Sequence, residues 1–264
     1  MTEVKNNKAF DFLLYSYFGI KESDLNDQSK KDIPYICAKC AKRAYLDLAR
    51  TVKYRYSSSE LEKMKSKKSS EEDRDEANNF IESKNNLIKN ICENILSSVK
   101  TEKGEISFEN SDFDDWHKAK CEEIKEKMNG NYETVNNSDE KVLNKSFTIG
   151  QAQKWVNMTL KYLWLLDALP QNIGEKDLHV PIDSYIIEIA YDNKNKFDNA
   201  LGLEKKPEKS WSKLSEYEDY FGTQKDYFGI QKEIRKAIKN TNETIPIKWE
   251  SLAWIEVAEK QANK

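Results

Sequence analysis

Two lysines and one aspartate are the residues of this chain best placed to do chemistry. Lys154 heads the apolar run Trp155-Val-Asn-Met-Thr-Leu-Lys-Tyr-Leu, and Lys161 follows seven residues later, so on a helix the two share a face. A lysine at the head of an apolar helix is costly unless its ammonium finds water, a partner or neutrality. Asp183 lies 29 residues after Lys154, following Pro181-Ile182 and preceding Ser184-Tyr-Ile-Ile. That setting is a helix N-cap, and a helix start also keeps an aspartate ionised and ready to partner a lysine. The plain alternative leaves the Lys154 amine in water and Asp183 as a cap alone.

Other groups carry weaker patterns. Cys37-x-x-Cys40 and His117-x-x-x-Cys121 have zinc-ligand spacing. The Cys pair falls in a helical pattern, however, where i and i+3 face one core, and no Gly-rich knuckle separates the pairs. Small buried cysteines are the preferred reading, Cys92 among them, and no metal is expected. Lys39, Lys42, Arg43 and Arg50 form a basic face that reads as solvated, with phosphate contact as the alternative. His179 stands beside the Asp183 segment as a hydrogen-bond donor or a ligand contact.

The elements that must position these groups are helical. Residues 8–20 are strongly apolar and end near Gly19, which predicts a short buried helix with a glycine cap. Residues 33–56 follow Pro34 at i, i+3/i+4 spacing and predict an amphipathic helix. Residues 57–79 are so polar that they predict a mobile loop or a solvated helix. Helical periodicity resumes over 80–99 and 112–128, and 129–145 reads as a polar connector. Residues 151–166 are apolar almost all round, which marks a central helix with Leu163 and Leu166 almost fully buried. Further helices are expected after Pro181 and over 211–220, 227–238 and 249–258.

Composition agrees. Eight Gly and five Pro in 264 residues are too few for the frequent turns of a barrel or sandwich, which favours an all-α chain with little strand. No apolar run approaches the length of a membrane span. The polar N-terminus carries no apolar signal core, so the four cysteines are expected to be reduced thiols in a cytoplasm. Basic and acidic residues number 26 and 28 up to residue 145 and 17 and 18 after it. Neither half is a basic coat for nucleic acid, although folding can still gather a local basic groove.

Three pieces then fall in a telling order: Gln153-Lys154 opening an apolar helix, Val180-Pro-Ile-Asp183-Ser-Tyr-Ile, and Ile245-Pro-Ile-Lys-Trp-Glu-Ser-Leu-Ala-Trp254. Together, over residues 146–256, they resemble the helix-hairpin-helix DNA glycosylases, most closely their archaeal 8-oxoguanine branch. The Gly-rich hairpin of most of that superfamily is absent; only Phe147-Thr-Ile-Gly150 precedes the lysine helix. No four-cysteine cluster matches its iron–sulfur members.

The resemblance implies a two-lobed helical bundle. Residues 1–145 form the N-terminal region and 146–264 the glycosylase-like region. It implies double-stranded DNA with a modified base as partner, a monomer, and no cofactor. Lys154 would be the nucleophile that attacks the anomeric carbon and forms a Schiff base, for which it must be neutral; burial beside Trp155 and Met158 favours that form. Asp183 would activate it and stabilise the developing positive charge on the sugar. Gln153, His179, Trp211 and Trp254 would contact the flipped base, while most other tryptophans serve the core. Lys161 is the rival nucleophile. The alternative is a catalytically inactive helical module for nucleic-acid binding or protein interaction. Glycosylase and inactive relative both require Lys154 and Asp183 in one cleft bordered by aromatics and Lys or Arg; opposite faces leave only the interaction module.

Overall fold

The computed structural model describes residues 7–26, 32–96, 112–132, 141–142, 146–170, 173–218 and 226–263. Ten α-helices run through them: α1 (Asn7–Phe18), α2 (Ser23–Asn26), α3 (Ile33–Leu48), α4 (Ser58–Met64), α5 (Glu71–Asn94), α6 (Asp112–Asn129), α7 (Ile149–Leu165), α8 (Ser184–Ala190), α9 (Tyr227–Ile238) and α10 (Pro246–Ala262). Strand among the described residues is confined to β1 (Asn131–Tyr132) and β2 (Lys141–Val142), an antiparallel pair within the 129–145 connector. The fold is all-α. No helix among the described residues is long and apolar enough to cross a membrane.

α7 is the axis of the molecule. Every residue from Ile149 to Leu160 is buried, and Tyr162 and Leu163 extend the run. The helix starts at a capping box: Thr148 accepts from Gln151 N–H and the Gln151 side chain accepts from Thr148 N–H. α3 packs along it through a stripe of small buried residues, Cys37, Cys40, Ala41 and Ala44, which lets the backbones approach closely. Trp155 fills that interface, and its Nε1 donates to Ala41 O at 2.8 Å. One hydrophobic core runs continuously from Ile36 on α3 to Val257 on α10, so both halves of the chain share it.

Three expectations change and one pair of alternatives is decided. α1 keeps its helix and its glycine cap, with Gly19 at φ 71° and its N–H on Tyr15 O. It is not buried: Leu14 is inside, while Phe12 is 69% exposed and Leu13 and Tyr15 lie open too. A short helix with apolar residues on every face meets the bundle on one side only. Leu163 is fully buried as expected, but Leu166 is the C-cap of α7 and only partly covered, because the chain turns away through Asp167 at φ 49°. The 211–220 segment shrinks to a 3-10 turn at Trp211–Lys213, and its last two residues lie outside those described. The 57–79 stretch is helical, of the two alternatives the solvated helix. Ser57 with Glu60 and Ser70 with Asp73 N–H cap α4 and α5. Leu61 and Ala77 tuck against Phe80 in a small cluster of their own.

Candidate active site

Lys154 and Asp183 meet. Lys154 Nζ donates to Asp183 Oδ2 at 2.7 Å, and the lysine side chain is only 7% exposed. Asp183 Oδ1 meanwhile accepts the Tyr185 and Ile186 N–H groups, both at 3.0 Å, and so caps α8. Trp254 Nε1 adds a fourth hydrogen bond, to Oδ2 at 3.3 Å. Cap and partner are therefore one carboxylate using its two oxygens separately. The Tyr185 and Trp254 rings pack beside it with centroids 5.2 Å apart.

The pair lies in the wall of a cleft of about 690 Å3. Trp211, Trp254, Tyr185 and Met158 supply apolar and aromatic lining, and Arg43 and Arg50 come from α3 and the 3-10 turn that follows it. Trp211 owes its place to Gly150. A Cβ at position 150 would stand 1.7 Å from Trp211 O, and Gly150 N–H donates to Leu214 O at 2.9 Å, so the turn sits directly on the head of α7. Of the expected basic face, Lys39 instead lies over the Tyr35 ring, and Lys42 is exposed.

A second ion pair lines the same cleft. Lys161 donates to Glu250, a carboxylate buried on α10. Burial pushes the Glu250 pKa up, while Lys161 and then Lys154 pull it down and Asp183 adds to the rise. Lys161 thus shares the Lys154 face as the spacing predicted. In the same cleft Tyr162 donates to Asp47 at 2.5 Å, Tyr17 and Tyr162 hydroxyls meet at 3.1 Å, and Arg43 bonds Asp47 at 2.8 Å while stacking over Tyr17 at 4.1 Å. Burial pushes the Tyr162 hydroxyl up, so it stays a donor. Sequence reasoning gave no role to Tyr17, Asp47, Tyr162 or Glu250. Only the i, i+4 spacing of Arg43 and Asp47 signalled a pair.

Two expected base contacts are not in the cleft. Gln153 is fully buried: its amide donates to Gly150 O and Ile182 O, and its Oε1 accepts from Ile182 N–H and Asn157. It pins the segment that carries Asp183 to α7. His179 is buried on the other side of that segment. Its Nε2 donates to Asp114 at 2.6 Å and its Nδ1 accepts from Tyr227 OH at 2.7 Å. His117 binds Asn157 and Tyr217 in the same manner, and Asn157 donates to Tyr227 OH. Tyr227 has one proton to give, which fixes His179 as the Nε2–H tautomer.

The residues with zinc spacing have other partners or surroundings. Both His117 nitrogens have hydrogen-bond partners, and no group of three His, Cys, Asp or Glu among the described residues is arranged to hold a metal ion. All four cysteines are free and buried, and burial raises their thiol pKa values, those of Cys40 and Cys92 to about 12.

Comparison of the chain with protein-family models, with curated proteins and with solved structures found no match.

Proposed function

We propose that the protein is a DNA base-excision glycosylase with an associated lyase step, acting on a modified base flipped out of a duplex. The observation that carries this reading is the buried Lys154–Asp183 pair opening into an aromatic cleft with two arginines on its wall. Its volume falls in the range of small-ligand sites and suits one extruded nucleotide. Trp211 and Trp254 would flank the base, since every base has a π-face.

In this reading the ammonium of Lys154 gives a proton to Asp183 Oδ2, and the free amine forms an N–C1′ bond as the C1′–base bond breaks. The electron pair of the broken bond leaves with the base. The second proton that the amine nitrogen sheds neutralises the departing base, relayed by Asp183. The sugar ring then opens as O4′ takes the proton held on Asp183, leaving a protonated imine on Lys154. Asp183 also stabilises the positive charge that builds on the sugar during base loss. Lys161 is held by Glu250 and serves the cleft as a positioning residue. The reading takes the chain as a monomer acting in the cytoplasm, without metal or cofactor.

Borohydride trapping on duplexes carrying a panel of modified bases tests it, because reduction turns the imine into a stable adduct. Wild type is expected to be trapped on at least one duplex. Lys154→Gln abolishes the adduct and leaves DNA binding nearly intact, and Asp183→Asn slows base release strongly. Failure to trap any duplex removes the lyase step. DNA binding with no base released by any variant replaces the enzyme with an inactive nucleic-acid-binding module.

A further inference from the structure

A nucleotide held in this cleft brings its phosphates with it, and the usual grip is missing. In the resembled family a Gly-rich hairpin offers backbone N–H groups to phosphate. Here three of the four N–H groups of residues 147–150 already have partners. Phe147 N–H donates to Asn129 Oδ1, Thr148 N–H to Gln151 Oε1 and Gly150 N–H to Leu214 O. Positive charge for the backbone must come from another wall.

Four cations line the cleft, and three of them are engaged. Lys154 is bonded to Asp183, Lys161 to Glu250 and Arg43 to Asp47. Arg50 is exposed and makes no ion pair among the described residues. It follows Arg43 by seven residues, Arg43 on α3 and Arg50 on the 3-10 turn that continues it, and both line the cleft. Arg50 sits on a fixed support, since the 3-10 turn Ala49–Thr51 is tied to the head of α7 by Gln151 Nε2 donating to Thr51 O at 2.7 Å. That is the same capping-box glutamine that starts the Lys154 helix.

We propose that Arg50 seats a phosphodiester next to the flipped nucleotide, so that the 3-10 turn after α3 takes over the grip the hairpin no longer offers. The proposal rests on the glycosylase reading. A guanidinium matches a phosphate with two parallel N–H bonds, and an uncommitted one loses no partner when DNA arrives.

The test uses duplexes with a tetrahydrofuran abasic analogue, which cannot form an imine and so report binding alone. Arg50→Gln is expected to weaken binding about tenfold at low salt and to lower the slope of log K against log salt by about one. Lys63→Gln, which removes an exposed charge on α4, leaves both unchanged. Replacing the single phosphate on one side of the analogue with neutral methylphosphonate should erase the difference between wild type and Arg50→Gln. An unchanged slope for Arg50→Gln overturns the proposal, and so does a difference that survives neutralisation on either side. If wild type is still trapped on modified duplexes, that result leaves the glycosylase reading standing. If wild type neither binds nor is trapped, both fall together.

Discussion

Asp183 carries four hydrogen bonds on one carboxylate: two α8 N–H groups on Oδ1, and Lys154 and Trp254 on Oδ2. Losing the cap alone costs about 1 kcal/mol, whereas leaving a buried ammonium without its partner costs about 3–5 kcal/mol. Asp183→Ala is therefore expected to destabilise the fold by at least about 3 kcal/mol in urea unfolding. Adding Lys154→Met removes the stranded charge and should restore most of that loss, leaving roughly the cost of the cap. Equal destabilisation of the single and double variants would mean that the pair is solvated and contributes only through the cap. The Lys161–Glu250 pair, more deeply buried at its carboxylate, obeys the same logic.

At the scale of elements, the head of α7 is where sequence, packing and site converge. Gly150 lies in the first turn of a long helix, where propensity alone favours alanine by about 1 kcal/mol. The structure reverses that sign, because the added Cβ would stand 1.7 Å from the carbonyl of Trp211 and backbone cannot swing aside as a side chain tip can. Gly150→Ala should destabilise by about 2–3 kcal/mol in chemical denaturation and push the 3-10 turn of Trp211 off the helix. A stabilised variant would show that the turn rests loosely on α7. Trp155 is the counterpart on the α3 side. Trp155→Phe removes the bond to Ala41 O and leaves a gap in a close interface, for an expected loss of about 2–3 kcal/mol.

At the scale of the whole molecule, a buried polar network joins α6, α7, the segment before Asp183 and α9. His117, His179, Asn157, Tyr217, Tyr227 and Gln231 bond one another, and Asp114 with Arg235 closes the network at its edge. Burial lowers the His179 pKa to about 4, against the opposing pull of Asp114, and burial, with the neighbouring His179, lowers that of His117 as well. The folded state thus holds both rings neutral, while the unfolded chain protonates them near 6.5. With folded values depressed, their contribution is intact above pH 6.5 and is lost as pH falls from there toward 4. His179 alone should remove on the order of 3 kcal/mol across that window. Urea unfolding as a function of pH checks this: His179→Gln should be less stable at pH 7 and should lose about 3 kcal/mol less than wild type between pH 6.5 and 4, the His117 share remaining. A wild-type curve that is itself flat there would show that the rings take up protons without unfolding.

Helical content and the α8 cap were legible in the chain because both are local facts, whereas the Lys154–Asp183 pair is expected from the order of the three pieces that carry the resemblance. A run apolar on all sides between Ile149 and Leu163 has no stable place except inside a bundle, and Asp before Ser-Tyr-Ile-Ile can cap a helix whatever surrounds it. Other facts belong to no local pattern. Gln153 and Lys154 are neighbours in sequence, yet a rotation of about 100° per residue sends one into the core and the other into the cleft. α1 carries as many apolar residues as a core helix, but nothing in its pattern says how many neighbours it will meet. Tyr17, Asp47, Tyr162 and Glu250 reach one cleft from four different helices, and no spacing records that. Side-chain period decides what a helix can bury; only the packing of α3, α7, α8 and α10 against one another decides which faces open onto the same space.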